Sequence, residues 1–329
     1  MEENGSPATP GKKERRQSVM RARRARHYPG HSDAIFALVW SPDGQLLASG
    51  GRDGTVRLWQ SSAEGALEPL AVYTGHRQCI LSLAWSPDGR LLASGDTAGT
   101  VHLWEVASPQ RCLLIYRGHR RFVRSLAWSP NGDYLISGGD YGDSSLQLWE
   151  SRSGRCLFSD QQQYRLFAVD WSPSAEQLLS ASFDGYVDIW TVNSGPNAAL
   201  QAKRYLRFSE HGRPVYCAVW SPDGRLIASG GADRRVLVWR PQAPQPQLIT
   251  TYLGHSRPLK ALAWSPDGQL LASAGDDCAL LLWQATTGTT LLSYNGHQRW
   301  IRCLAWSPQG RQIASASDTL IHIIEIDVD

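Results

Sequence analysis

The sequence holds no run approaching the roughly 18–20 consecutive apolar residues of a membrane span, and its first twenty residues contain no apolar stretch that would serve as a signal peptide. Its six cysteines, Cys79, Cys112, Cys156, Cys217, Cys278 and Cys303, are scattered without a Cys-x-x-Cys pair. The zinc and dithiol redox patterns are therefore missing, and reduced, mostly packed thiols are expected. There is no Gly-rich phosphate loop, metal-spaced His/Cys cluster or isolated carboxylate pair, so no cofactor is expected. A soluble, cytoplasmic protein follows by default.

The net charge of +3 conceals an asymmetry. Residues 1–27 carry Lys12, Lys13, Arg15, Arg16, Arg21, Arg23, Arg24 and Arg26 against Glu2, Glu3 and Glu14, a surplus of five positive charges that leaves the remainder slightly acidic. The basic balance thus belongs to a tail, and the body lacks the overall basic footprint of nucleic-acid domains.

What is abundant is repetition. A Trp-Ser-Pro tripeptide recurs at Trp40, Trp85, Trp128, Trp171, Trp220, Trp264 and Trp306, at intervals of 45, 43, 43, 49, 44 and 42 residues. Six further Trp (Trp59, Trp104, Trp149, Trp190, Trp239 and Trp283) close a β-branched or leucine-rich run, and only Trp300 lies outside the scheme. Units of this length cannot bury their own faces, so they must stack around one continuous core. Many of the 30 Gly and 18 Pro fall in turns such as Pro42-Asp43-Gly44, Pro222-Asp223-Gly224 and Pro266-Asp267-Gly268, which punctuate strands.

Within residues 30–60, Gly30-His31 is followed by a run from Ile35 to Trp40, a Ser-Pro-Asp-Gly turn, Gln45 to Ser49, a second turn at Arg52-Asp53-Gly54, and Thr55 to Trp59. That pattern predicts three short antiparallel strands joined by tight hairpins. A fourth precedes the next Gly-His, as at Leu70–Tyr73, Cys112–Tyr116, Leu248–Tyr252 and Leu291–Tyr294.

These residues resemble the WD40-repeat family, whose units run from Gly-His to Trp-Asp. The resemblance covers roughly residues 21–329, and the regularity of the units is most similar in style to bacterial members. It implies an all-β, seven-bladed β-propeller with four antiparallel strands per blade. His31, His76, His119, His211, His255 and His297 each precede their Trp-Ser-Pro by nine residues, while the fourth unit places Gln162 there. The last unit ends after its third strand, Leu320–Ile326, leaving an edge to be covered. The segment Arg23–Tyr28 has the position and terminal Tyr of the missing strand, so the N-terminus is expected to close the last blade. Residues 1–20 are expected to form a disordered basic extension and 21–329 the propeller, a monomeric ring.

Positions six and eight after the His are small (Ala37, Ser82 and Cys217 in one series; Ala84, Ala127 and Ala263 in the other), as crowding near an axis requires. Asp170 is the one acid there and reads first as a solvated channel residue.

Three units carry a full Ser-His-Asp-Trp set: His31, Ser49, Asp53 and Trp59; His211, Ser229, Asp233 and Trp239; His255, Ser273, Asp277 and Trp283. In isolation Ser, His and Asp suggest a nucleophile and its base. Repetition argues for a need shared by every blade, since an enzyme requires one site with a pocket and oxyanion donors. The resemblance implies a buried hydrogen-bonded chain. Unit two departs with Ala98 in place of Asp, unit three is two residues longer between Ser137 and Asp143, unit four has Gln162, and unit seven has Ile324 instead of Trp. Those blades are expected to lean more on apolar packing.

In the family the Gly-His side, or top, is the commonest binding face. Its three variable positions per unit supply Phe36, Arg52, Phe122, Arg124, Arg165, Phe167, Phe183, Tyr216, Lys260, Trp300 and Arg302. Arg and aromatic side chains are typical of interface hot spots, and arginines favour carboxylates and phosphates. A non-catalytic platform follows, with a top face for an acidic or phosphorylated segment of a protein partner, alone or within a multiprotein complex; solvated cations paired between blades are the plainer alternative. The tail raises a second possibility, a tether to nucleic acid or an anionic membrane, against a solubilising arm. Arg15-Arg16-Gln17-Ser18 is similar to a basophilic kinase target. A propeller enzyme, lyase or hydrolase, is the remote alternative.

Overall fold

The computed structural model describes residues 22–62, 65–194, 200–241 and 244–326, and every regular element among them is a strand. In the first unit β2 (Ile35–Trp40), β3 (Leu46–Gly51), β4 (Val56–Ser61) and β5 (Leu67–Tyr73) form one antiparallel sheet in sequence order. The turn between β2 and β3 shows why Ser-Pro-Asp-Gly recurs. The Ser41 hydroxyl donates to Asp43 at 2.6 Å and accepts the Leu46 N–H at 2.9 Å, while Gly44 takes φ +67°, a conformation that glycine adopts without steric cost. Ser86–Asp88, Ser221–Asp223 and Ser265–Asp267 repeat the same bond.

Seven such sheets form the propeller. The innermost strands are β2, β6 (Ile80–Trp85), β10 (Val123–Trp128), β14 (Leu166–Trp171), β18 (Val215–Trp220), β22 (Leu259–Trp264) and β26 (Ile301–Trp306). Each touches the next, and β26 touches β2, so the contacts run in a closed ring. Apolar side chains fill the gaps between sheets: Ile35, Leu38 and Trp40 of the first blade pack against Ile321 and Ile323 of the last. Three of the seven Trp-Ser-Pro indoles also reach across blades. Trp85, Trp128 and Trp264 donate to the carbonyls of Val39, Ala84 and Val219 on the preceding inner strand, at 3.2, 3.0 and 3.3 Å.

Closure occurs as the sequence predicts. β1 (Ala22–Pro29) pairs antiparallel with β28 (Leu320–Ile326), with Tyr28 opposite Ile321 and Ala25 opposite Ile324. The last sheet therefore reads β1-β28-β27-β26, where β27 is Gln312–Ser317. The expected extension, residues 1–20, lies outside the described residues.

Asp170 departs from its expected role as a solvated channel residue. Its carboxylate accepts the Trp220 N–H from the next blade at 2.9 Å and its neighbour Trp171 N–H at 3.0 Å, a specific bond between inner strands. Burial raises its pKa to about 7, against the lowering effect of those two N–H groups.

Candidate functional site

The Ser-His-Asp-Trp sets form one bonded chain per blade. In the first, His31 Nδ1 lies 3.0 Å from Asp53, His31 Nε2 lies 2.8 Å from Ser49 Oγ, and the Trp59 indole donates to the same Oγ at 2.9 Å. The corresponding distances are 2.8, 2.8 and 3.1 Å for His211, Asp233, Ser229 and Trp239, and 2.9, 2.8 and 3.1 Å for His255, Asp277, Ser273 and Trp283. Ser49, Ser229 and Ser273 are 0% exposed, so no substrate can reach their hydroxyls. Burial alone would raise the carboxyls of Asp53, Asp233 and Asp277, but hydrogen bonds from histidine and backbone N–H groups overcome it and hold them below the usual range. The chain ties the β-turn to the Gly-His loop and satisfies every buried polar group in it.

The irregular blades were expected to rely on apolar packing; three of them rebuild the network instead. In unit two Asp96, two residues before Ala98, accepts from His76 at 2.9 Å while His76 meets Ser94 at 2.7 Å. In unit three the longer turn still brings Asp143 to 3.3 Å from His119, which bonds Ser137 at 2.6 Å. In unit seven the acid is replaced by Ser317, 2.7 Å from His297 Nδ1, with Ser315 on the other nitrogen at 2.8 Å. Only unit four, with Gln162, lacks the histidine: Trp190 donates to Ser180 at 3.0 Å and the chain stops there.

The predicted top-face residues fall into connected arcs. Over blades four to six, the Arg165 guanidinium lies 4.3 Å from the Phe183 ring centroid, Phe167 meets Tyr216 edge-on at 4.9 Å, and Lys260 sits 3.9 Å above Tyr216. Over blades seven and one, the Arg302 guanidinium lies 5.0 Å from Phe36 and 5.8 Å from Trp300. Arg124 links the arcs electrostatically. Burial, opposed by Asp140 and aided by the charge of Arg302, lowers its pKa, and Arg124 in turn contributes to lowering Lys260. Phe122 is half-buried and Arg52 is exposed.

Pairing of these cations is uneven. Lys260 has Asp276 at 3.6 Å, Arg165 has Asp140 at 4.0 Å, and Arg52 has Asp33 at 3.8 Å between two exposed side chains. Arg124 and Arg302 have no carboxylate within 4 Å among the described residues. Beside Arg302 a cavity of about 460 Å³ opens between blades six, seven and one. Sequence reasoning named Trp300 and Arg302 in its wall but missed Arg299 and Asp318, because neither occupies a variable position of the repeat. All six cysteines are free; Cys217 and Cys303 are buried, and burial pushes both thiols up to about 12.

Comparison with known proteins agrees with this geometry. The family described as WD domain, G-beta repeat, matches residues 23–60, 67–105, 110–150 and 154–191, and that described as the anaphase-promoting complex subunit 4 WD40 domain matches residues 218–309. The chain belongs to the WD40-repeat family. Similar proteins include telomerase protein component 1 of Rattus norvegicus, 37% identical over 23% of this chain, and Protein HIR1 of Aspergillus oryzae, 30% identical over 23%. Protein Notchless of Drosophila melanogaster is 56% identical over 11%. The matches cover only 3%, 8% and 7% of those proteins' own lengths. For this WD40 ring, no helix among the described residues is long and apolar enough to cross a membrane.

Of the tail's basic residues, Arg23, Arg24 and Arg26 lie within β1, where Arg26 reaches Glu325 at 3.6 Å. The others, and the Ser18 kinase pattern, lie outside the described residues.

Proposed function

We infer that this WD40 ring is a non-catalytic interaction platform whose top face receives an acidic or phosphorylated segment of a partner protein, and that residues 1–20 are a basic extension to it. What supports this most directly is the row of cations mounted on or beside aromatic rings, from Arg165 and Phe183 through Tyr216 and Lys260 to Arg302 and Phe36. Rings hold the guanidiniums in place and leave their hydrogen-bonding edges free for anions. WD40 proteins generally act as scaffolds, and one of the two families matched is named for a component of the anaphase-promoting complex. The sealed Ser-His-Asp chains supply no reactive hydroxyl for an enzyme.

The test is capture of partners from the native cell by three forms: full length, a form lacking residues 1–20, and a variant with Phe122, Arg124, Arg165 and Trp300 changed to Ala. Partners lost only with the quadruple variant support the platform. Loss only with the tail deletion, with steep salt dependence, would instead make the ring a carrier for an electrostatic tether.

A further inference from the structure

The five top-face cations are not equivalent. Lys260, Arg165 and Arg52 each have a carboxylate within reach, which offsets part of their charge. Arg302 has none among the described residues, and neither does Arg299, an exposed side chain three positions before it. Both line the same cavity of about 460 Å³, with Trp300 between them in sequence and 49% exposed.

One irregularity of the last blade shapes a wall of the cavity. In the first blade Ser49 pairs across the hairpin with Arg57; in the last, Ser315 pairs with His322, so the turn is one residue shorter. The shortened turn withdraws the carboxylate that other blades present to their histidine. Ser317 takes that place, and Asp318 moves outward to the cavity wall in a left-handed conformation, φ +54°. Its carbonyl accepts the Ile35 N–H at 2.8 Å, which fixes this wall to blade one. On the blade-six side the wall is Cys278. The floor chemistry is thus two unpaired guanidiniums, one exposed carboxylate and an indole face.

We propose that this cavity is an aryl-phosphate subsite, taking the side chain of a phosphotyrosine in the partner segment. It rests on the platform reading and specifies where its anion sits. The volume is roughly fifteen times the ~30 Å³ share of a water molecule, far more than a carboxylate fills. Two guanidinium forks suit the oxygens of a phosphate. The exposed Trp300 indole offers a flat face to an aromatic ring, which an aliphatic phosphoester would leave bare. Asp318 lowers the charge of the lining from +2 to +1, which weakens anion binding and gives the subsite a residue whose removal should increase affinity.

The experiment titrates the full chain with N-acetyl-phosphotyrosine amide, N-acetyl-phosphoserine amide and N-acetyl-tyrosine amide by calorimetry. Variants are Arg299→Ala/Arg302→Ala, Asp318→Asn and, as a control just after a Ser-Pro-Asp-Gly turn away from the top face, Arg225→Ala, each checked for an unchanged melting temperature. Expected are binding of the phosphotyrosine probe that falls at least tenfold in the double arginine variant, rises severalfold with Asp318→Asn, and is unaltered by Arg225→Ala, with phosphoserine at least tenfold weaker. Equal binding of tyrosine and phosphotyrosine, or equal loss with Arg225→Ala, overturns the subsite. Phosphoserine binding as well as phosphotyrosine overturns its aromatic selectivity. If no probe binds while the quadruple top-face variant still loses its partner, the subsite fails and the platform stands.

Discussion

The imidazoles of His297 and His322 stack at 3.7 Å between centroids, and His27 continues the pile on the other side of His322 at 4.1 Å. Three blade segments meet there: the Gly-His loop, β28 and the closing strand β1. The Tyr294 hydroxyl shares hydrogen bonds with His322 Nδ1 at 2.9 Å and His27 Nε2 at 3.3 Å. Blade two has a similar pair, His76 on His102 at 3.8 Å, but there Asp96 faces His76. In the last blade the groups facing the pile are Ser315, Ser317 and Tyr294, all neutral; the Arg26–Glu325 pair sits farther along the β1–β28 ladder.

Acid should therefore loosen the seam between β1 and β28, together with blade two, where burial likewise lowers His102 to about 4, before it loosens blade five. Burial first, then the neighbouring imidazoles, lowers His297 to about 3 and His322 to about 4. An unfolded histidine titrates near 6.5, so the open form binds more protons below that pH. Stability of this blade is complete above about pH 6.5 and declines as pH falls towards 4. Hydrogen exchange, corrected for intrinsic rates, should show β1 amides losing protection between pH 6.5 and 4.5 while β18 keeps its own. A uniform loss across blades would contradict this, and His322→Gln should flatten the effect.

His255→Ala strands Asp277 on one side and the Ser273–Trp283 pair on the other, all inside the ring. Loss of about 2–4 kcal/mol is expected, as for other buried polar networks deprived of one member. A melting temperature within about a degree of the parent would mean that the network contributes little.

Asp96 tests whether the network or its motif matters. Asp96→Ala should cost about 2 kcal/mol, because His76 and Thr100 both lose their acceptor. The double change Asp96→Gly/Ala98→Asp restores the residue pattern of the regular blades and should recover most of that loss in denaturant unfolding. Failure to recover would show that blade two is shaped around its displaced carboxylate.

Asp170 carries the opposite pH sign. Its folded pKa lies above the unfolded value near 3.9, so the folded state holds the proton more tightly. Its contribution is present below the unfolded pKa and is lost as pH rises through about 7. Asp170→Asn resembles the protonated side chain and cannot ionise. The stability of the variant relative to the parent should therefore rise by on the order of 1 kcal/mol or more from pH 5 to pH 8; a constant difference would place the carboxyl's titration elsewhere.

The repeat was legible because each unit solves the same burial problem. Trp-Ser-Pro packs an indole into the apolar layer between blades, in three units with a bond to the preceding inner strand, and the Ser-Asp turn and Gly-His spacing recur with it. Closure was legible too, since Leu320–Ile326 lacked a successor and the segment ending at Tyr28 lacked a predecessor. Asp96 was missed because a motif fixes an offset, whereas a carboxylate two positions earlier reaches the same imidazole. The His27–His322 pile joins residues at opposite ends of the sequence, and no spacing within one unit can announce it. Asp318 stands in the wall of the cavity beside Arg302 on a turn one residue shorter than that of the first blade, a change that leaves the strand pattern of the last unit intact.

Pairing of β1 with β28 also imposes an order of events during synthesis. The first strand leaves the ribosome roughly 290 residues before its partner, which at about 5–20 residues per second is a wait of about 15–60 s. Throughout that interval the nascent chain presents an unfinished arc with two raw edges, one of them a strand whose only lasting neighbour has not yet been translated. Whatever shields β1 in that time, whether a chaperone or a transient fold of its own, governs how much finished ring a cell obtains.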